Sequence, residues 1–311
     1  MPEQWIERGI GETRVVLVED GAIVEARILR DGVVPAGTVF AARLVETGRL
    51  AIARAGDDDY FLPKGAPGIT QGGALTIEVT REALAGAEPW KRPLARVTDA
   101  APAPAADLSG LTLPFVSPSD GLEAVGWSDL LDEARSGIVA FSGGGLRVSL
   151  TPAMTLIDVD GHLPPEQLAF AGAVAAAQTI RRHSIAGSIG IDLPTIGGKA
   201  ARLAVAVAVD DILPAPFERT AVNGFGFLQI VRPRRHASLF ELAADRAAFE
   251  ARALLRRAAR ETGAIALVAH PAVIAALAPG WIDQLAAQVG GAVTLRPDAT
   301  LAKSAAYAHR L

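Results

Sequence analysis

The 311-residue chain has no cysteine. That excludes disulfides and any zinc site built on thiolates. Its five histidines, His162, His183, His236, His270 and His309, are scattered, without the HxH or HxxxH spacing of an imidazole metal site. No uninterrupted apolar run reaches the ~20 residues of a spanning helix. The opening MPEQWIERGIGETR carries charges where a signal peptide has its apolar core. These absences predict a cytoplasmic protein with no membrane partner. There is no GxSxG elbow and no internal repeat. Basic residues are not in excess either, the net charge being −4, so a polyanion would have to be met by local charge.

What is present is globular. Half of the residues are hydrophobic and 21% are charged, and the length suffices for two or three domains. Residues 13–29, TRVVLVEDGAIVEARIL, read as two strands around a turn at Asp20–Gly21. GTVFAARLV, RLAIARA, YFLP, ALTIEVT and RPLARVT follow as short strands, separated by Gly, Asp and Pro, and predict a small OB-type barrel. DAAPAPAADLSG, 99–110, lacks periodicity and reads as a linker.

From about residue 126 helices enter. GWSDLLDEARSG predicts a helix, GIVAF and LRVSL a hairpin around SGGG, and TLIDVD a strand. PPEQLAFAGAVAAAQTIRRH is a second helix, GSIGIDLP a buried strand, GGKAARLAVAVAVDDIL a third helix and GFGFLQIVRPRR a strand with a basic end. Alternating strands and helices predict an α/β unit with a mainly parallel sheet. The tail reads as one long helix over SLFELAADRAAFEARALLRRAARETG, strand AIALVAH, two short helices and strand AVTLRP.

Two aspartates carry the chemistry. Asp158 and Asp192 each end an apolar strand, with one helix between them. A right-handed crossover would bring both carboxylates to one sheet edge. Two close carboxylates repel unless a cation lies between them, and hard oxygen donors suit Mg²⁺ or Mn²⁺. A strand-end Asp is also an ordinary cap or turn residue, and Asp160–Gly161 itself reads as a turn. Gly143–Gly145 fit a hairpin turn better than a phosphate cradle, His162 an exposed loop, and Asp210–Asp211 and Asp57–Asp58–Asp59 solvent-facing positions. Arg232, Arg234 and Arg235 either keep an edge hydrated or hold phosphates. Phe61, beside Tyr60, is either barrel core or, with Trp90, Lys91 and Arg92, part of a stacking and phosphate-binding surface.

ETRVVLVEDG, TLIDVDG, GSIGIDLP, GFGFLQIVRPR and SLFE, taken in order along the chain, resemble the RNase E/G family of bacterial endoribonucleases. The resemblance implies an α/β protein with an RNase H-like nuclease core, an inserted OB-type RNA-binding barrel and a small C-terminal α/β domain. The implied boundaries are 1–32 for strands joining the core sheet, 33–98 for the barrel, 99–125 for the linker, 126–236 for the core and 237–311 for the small domain.

It implies hydrolysis of single-stranded RNA to 5′-phosphate products, with Mg²⁺, or Mn²⁺, held by Asp158 and Asp192. Phe61 of YFLP falls on the family's RNA-contacting aromatic and Lys91 on its basic residue near the barrel's end. Lys199 and the arginines at 232–235, Arg232 and Arg234 among them, are candidates for flanking phosphates. The family has Asn where this chain has Asp160, so Asp160 either orients Asp158 or becomes a third metal ligand. Gln229 replaces a family glutamate. The 5′-monophosphate sensor has no counterpart, and the family's CxxC zinc link is impossible without cysteine, so a homodimer would need another surface. A non-catalytic RNA-binding protein on the same scaffold, or a nuclease acting on DNA, are the alternatives.

Overall fold

In the computed structural model, residues 2–84, 91–105, 108–116 and 119–311 are described; Trp90 lies outside them. Strands β1 (Glu3–Arg8), β2 (Glu12–Glu19) and β3 (Ala22–Arg30) form an antiparallel meander. Asp20 and Gly21 both have positive φ, 51° and 77°, which gives the two-residue hairpin turn a twist matching its strands.

Five strands then close a barrel in the order β4-β5-β6-β8-β7: β4 (Val39–Glu46), β5 (Ala51–Ala55), β6 (Asp58–Leu62), β7 (Ala74–Arg81) and β8 (Leu94–Val97). Alternation along each strand sends Leu44, Ala53, Tyr60, Leu62, Ile77 and Val79 inward.

The stretch predicted as a linker is partly built into the fold. Ala103 exchanges both backbone hydrogen bonds with Val39, and β9 (Leu111–Leu113) pairs parallel with β1. The first sheet therefore runs β3-β2-β1-β9 and is separate from the six-stranded sheet of residues 138–232. Residues 1–32 do not extend that sheet, as the sequence suggested, because β9 occupies the free edge of β1. They join its core instead.

The second sheet follows helix α1 (Trp127–Ser136). It comprises β10 (Ile138–Phe141), β11 (Gly144–Leu150), β12 (Thr155–Gly161), β13 (Gly187–Asp192), β14 (Glu218–Arg219) and β15 (Phe227–Arg232), in the order β10-β11-β12-β13-β15-β14. Only β12 and β13 run parallel; every other neighbouring pair in the sheet is antiparallel. The expected mainly parallel sheet is thus corrected. Helix α2 (Pro165–Arg182) makes the crossover from β12 to β13, but after α3 (Lys199–Ile212) the chain loops back through β14, and β15 returns antiparallel to β13.

Helix α2 lies between the two sheets, which explains its alanine-rich, apolar circumference. Ala169, Ala173, Ala176, Ala177 and Ile180 are buried in one core with Ile157, Val159, Ile189 and Leu228 from one side and Val16, Val18 and Ala26 from the other. The approach is close: a Cβ on Gly172 would stand 2.3 Å from Cγ1 of Val159.

The predicted long C-terminal helix is two helices, α4 (Leu239–Ala244) and α5 (Arg246–Ala258). Asp245 leaves helical geometry and caps α5 by accepting from the Ala248 N–H. Then come β16 (Ile265–Ala269), α6 (Pro271–Ala275), α7 (Pro279–Val289), β17 (Val293–Pro297) and β18 (Tyr307–Arg310), with the sheet in the order β17-β16-β18.

A buried ion network ties α5 to the first sheet. Glu7 accepts from Arg14 and from Arg256, each at 2.8 Å, and Arg256 reaches Asp120 at 2.6 Å. Arg260 completes it on Asp120 at 2.7 Å. Among the described residues no helix is long and apolar enough to cross a membrane.

Candidate active site

The second sheet has two unlike faces. Ile157, Val159, Ile189, Ile191, Leu228 and Ile230 point into the core. The residues that alternate with them, among them Asp158, Asp160, Asp192 and Val231, are exposed. On that face the two aspartates meet, Asp192 at the end of β13 and Asp158 in the middle of β12, which runs three residues past it and does not end there as the sequence suggested. Asp158 and Asp192 are register partners on the parallel pair β12/β13, one strand spacing of ~4.8 Å apart. Among the described residues neither carboxylate accepts a hydrogen bond or joins an ion pair. Two adjacent carboxylates that no ion pair engages among the described residues, with Arg147 as the cross-strand neighbour of Asp158, are a donor set that fits a hard divalent cation with water completing its shell.

Asp160 does not join them. It lies two residues on from Asp158, opposite Gly145 and past the end of β13, and its Oδ1 accepts from the Gly161 N–H at 2.8 Å. Among the described residues no group of three or more His, Asp or Glu side chains is arranged to hold one metal ion. Strand geometry carries Asp160 ~6–7 Å along β12 from Asp158, and the Gly161 N–H engages its Oδ1.

Arg147 was missed in the sequence. It stands opposite Asp158 on β11 and is exposed on the same face. Only non-local register puts it there, so local sequence carries no signal for it. Lys199 is exposed at the first turn of α3, which begins seven residues beyond Asp192 and so returns toward the acidic end of β13.

The other cations lie elsewhere. Gly187, at the start of β13, pairs with Arg232, whereas Asp192 pairs with Phe227. Arg232 is thus five residues, ~16 Å, from the acidic end. It also shares the inner face of β15 with the buried Leu228 and Ile230, and it donates to the Ile185 carbonyl at 3.0 Å. Burial, above all, lowers its pKa. Arg234 is paired with Glu241. Neither flanks the aspartates, contrary to the phosphate-holding role considered for them.

Phe61 is half-buried and alternates with the inward-facing Tyr60 and Leu62, so its ring belongs to the barrel's outer surface and not its core. Its N–H donates to the Pro93 carbonyl, beside the chain entering from Lys91. Lys91, Arg234, Glu241, Thr151, Met154 and Ser188 border a cavity of about 320 Å³. Ser188 and Met154 also belong to the margin of the open sheet face. Ser188 and Asp192 lie ~13 Å apart along β13, with Gly190 buried between them beneath Phe227 and Met154.

Two aromatics at the acidic end were also passed over. Phe227, the partner of Asp192, lies over Gly190, where a Cβ would be 2.5 Å from its Cζ. Phe225, two residues earlier, is 83% exposed. The sequence signal was the GFGF pattern itself, two rings set around a turn-forming glycine.

No protein-family model and no curated protein matches this chain.

Proposed function

We propose that the protein is a divalent-metal-dependent endoribonuclease that hydrolyses single-stranded RNA to leave 5′-phosphate products, and that it does so without sensing the RNA's 5′ end. The observation that carries this reading is the register pairing of Asp158 with Asp192 on an exposed part of the sheet face, with neither carboxylate in an ion pair among the described residues. The resemblance to RNase E/G endoribonucleases supports it, with the barrel as an OB-type RNA-binding module and the second sheet with its helices as an RNase H-like core.

In this reading Asp158 and Asp192 hold Mg²⁺ or Mn²⁺. Such an ion lowers the pKa of a bound water and offsets charge on a phosphodiester. The chain's own residues supply positioning. Arg147 meets a phosphate oxygen beside the acidic pair, and Lys199 meets a neighbouring phosphate from the first turn of α3, where the helix dipole also favours an anion. Phe61 and Lys91 hold the strand on the barrel side.

The test is cleavage of a 5′-labelled single-stranded RNA with Mg²⁺ or Mn²⁺, with single-stranded DNA as competitor. Cleavage that survives Asp192→Asn refutes the mechanism. A second reading, a non-catalytic RNA-binding protein, draws on the two-carboxylate site and on Asp160 bonding to its own backbone. Metal-independent RNA binding with no cleavage in either metal would select it.

A further inference from the structure

We infer that Phe225 is a stacking platform for an unpaired base next to the scissile phosphate, and that it makes the site selective for single strands. This rests on the nuclease reading above and names the substrate feature the site recognises. The Phe225 ring is 83% exposed, the most exposed of the large apolar side chains among the described residues.

The ring is not on a loose tip. Asn223 Oδ1 accepts from the N–H groups of Phe225 and Phe227, at 2.9 and 3.0 Å. The Thr195 hydroxyl donates to the Phe225 carbonyl at 3.2 Å, and the Leu193 N–H donates to the Gly226 carbonyl at 3.2 Å. Gly226 is held at φ 94°, and a Cβ there would stand 2.1 Å from the Leu193 oxygen. The turn is thus bolted to residues 193–195, which directly follow Asp192. Behind it, Phe227 covers Gly190 beside the same aspartate.

An exposed aromatic fixed beside the end of β13, on a sheet that also carries Arg147 on β11 opposite Asp158, offers what an unpaired nucleotide needs: a π-face for the base and a cation for the phosphates. Every base has such a face, so the platform reads strandedness and not sequence. In a duplex the base faces are already stacked and withheld.

The experiment uses the full chain carrying Asp192→Asn, so that the probe survives, and a short single-stranded RNA with 2-aminopurine placed at successive positions. One position is expected to be quenched on binding. Phe225→Ala should abolish that quench and weaken binding about five- to a hundredfold. Phe225→Tyr should restore both, and Phe61→Ala should leave the quench at that position intact. Duplex RNA of the same sequence should bind the parent and Phe225→Ala alike.

In the cleaving protein, Phe225→Ala should raise KM more than it lowers kcat. An unchanged quench and affinity in Phe225→Ala, or equal sensitivity of duplex binding to it, overturns the inference. If the quench depends on Phe225 while the unsubstituted protein cleaves no RNA, the stacking site stands and the nuclease reading falls.

Discussion

Asp158 and Asp192 face solvent side by side on neighbouring parallel strands, and no basic side chain is paired with either. Their mutual repulsion is a stability cost that a bound cation removes. Asp158→Asn and Asp192→Asn are each expected to leave Tm unchanged or raise it, while cutting RNA cleavage by about a hundredfold or more, since even outer-shell partners of a metal site are worth ten- to a hundredfold. Mg²⁺ at about 100 times its Kd should stabilise the unsubstituted protein by about 2.7 kcal/mol. Differential scanning fluorimetry with and without metal checks both, and a metal-dependent Tm shift that persists in the double Asn variant would contradict them.

Arg147 and Arg232 separate the open face from the covered one. Arg147→Ala should weaken single-stranded RNA binding and reduce the slope of log K against log salt by about 0.7, one phosphate contact's worth. Arg232→Ala should leave that slope alone and lower stability by about 1 kcal/mol, because the Ile185 carbonyl loses its donor. Filter binding across a salt series and urea unfolding measure the two effects. The reverse pattern would return Arg232 to the RNA.

Glu7 is 1% exposed and compensates both Arg14 and Arg256. Glu7→Gln should cost about 1–3 kcal/mol, because Arg14 keeps Glu12 and Arg256 keeps Asp120, each at 2.6 Å. Replacing Glu7, Arg14 and Arg256 together with apolar residues of similar volume should cost more, because the buried Glu12 then loses Arg14. Urea midpoints of the single and triple variants decide the matter.

His183 is buried, with Nε2 2.7 Å from Glu133 and no partner for Nδ1. Burial lowers its pKa below the ordinary 6.5, outweighing the pull of Glu133. The missing Nδ1 partner agrees, because a protonated ring would bury a second N–H unbonded. His236 is shifted the same way, again mainly by burial. The unfolded chain therefore binds more protons than the folded one once pH drops below about 6.5. Stability should be full above that value and fall as pH decreases through it. The urea midpoint measured from pH 7.5 to 5 should show this decline, and His183→Gln should flatten it.

Local patterns were legible where a local cause decides them. Asp20–Gly21 announced a hairpin, five alternating runs announced the barrel, and Pro164–Pro165 with Arg181–Arg182 bracketed α2. Strand partners were not legible, because pairing is non-local. Nothing in WIER indicates that β9 will lie against it, and nothing in LRVSL puts Arg147 beside Asp158. Asp245 was read inside a continuous helix because its neighbours favour one, although its side chain caps a new helix as readily. The misplacement of Arg232 was avoidable: Leu228, Ile230 and Arg232 alternate onto one side of a strand, and two of them are plainly core. The meeting of the aspartates followed from one strand–helix–strand unit, which is why that expectation agrees with the geometry while the parallel sheet around it does not.

The contact between Glu7 and Arg256 spans 249 residues, and it bears on the order in which a nascent polypeptide matures. The first sheet is made before α5 but carries a buried anion and cation whose remaining partner, Arg256, comes only with that helix. The barrel, with its own core and its closed ring of strands, lies between the two in the chain. Strands β1–β3 therefore stay incomplete until α5 is made, whereas the barrel is free to finish first.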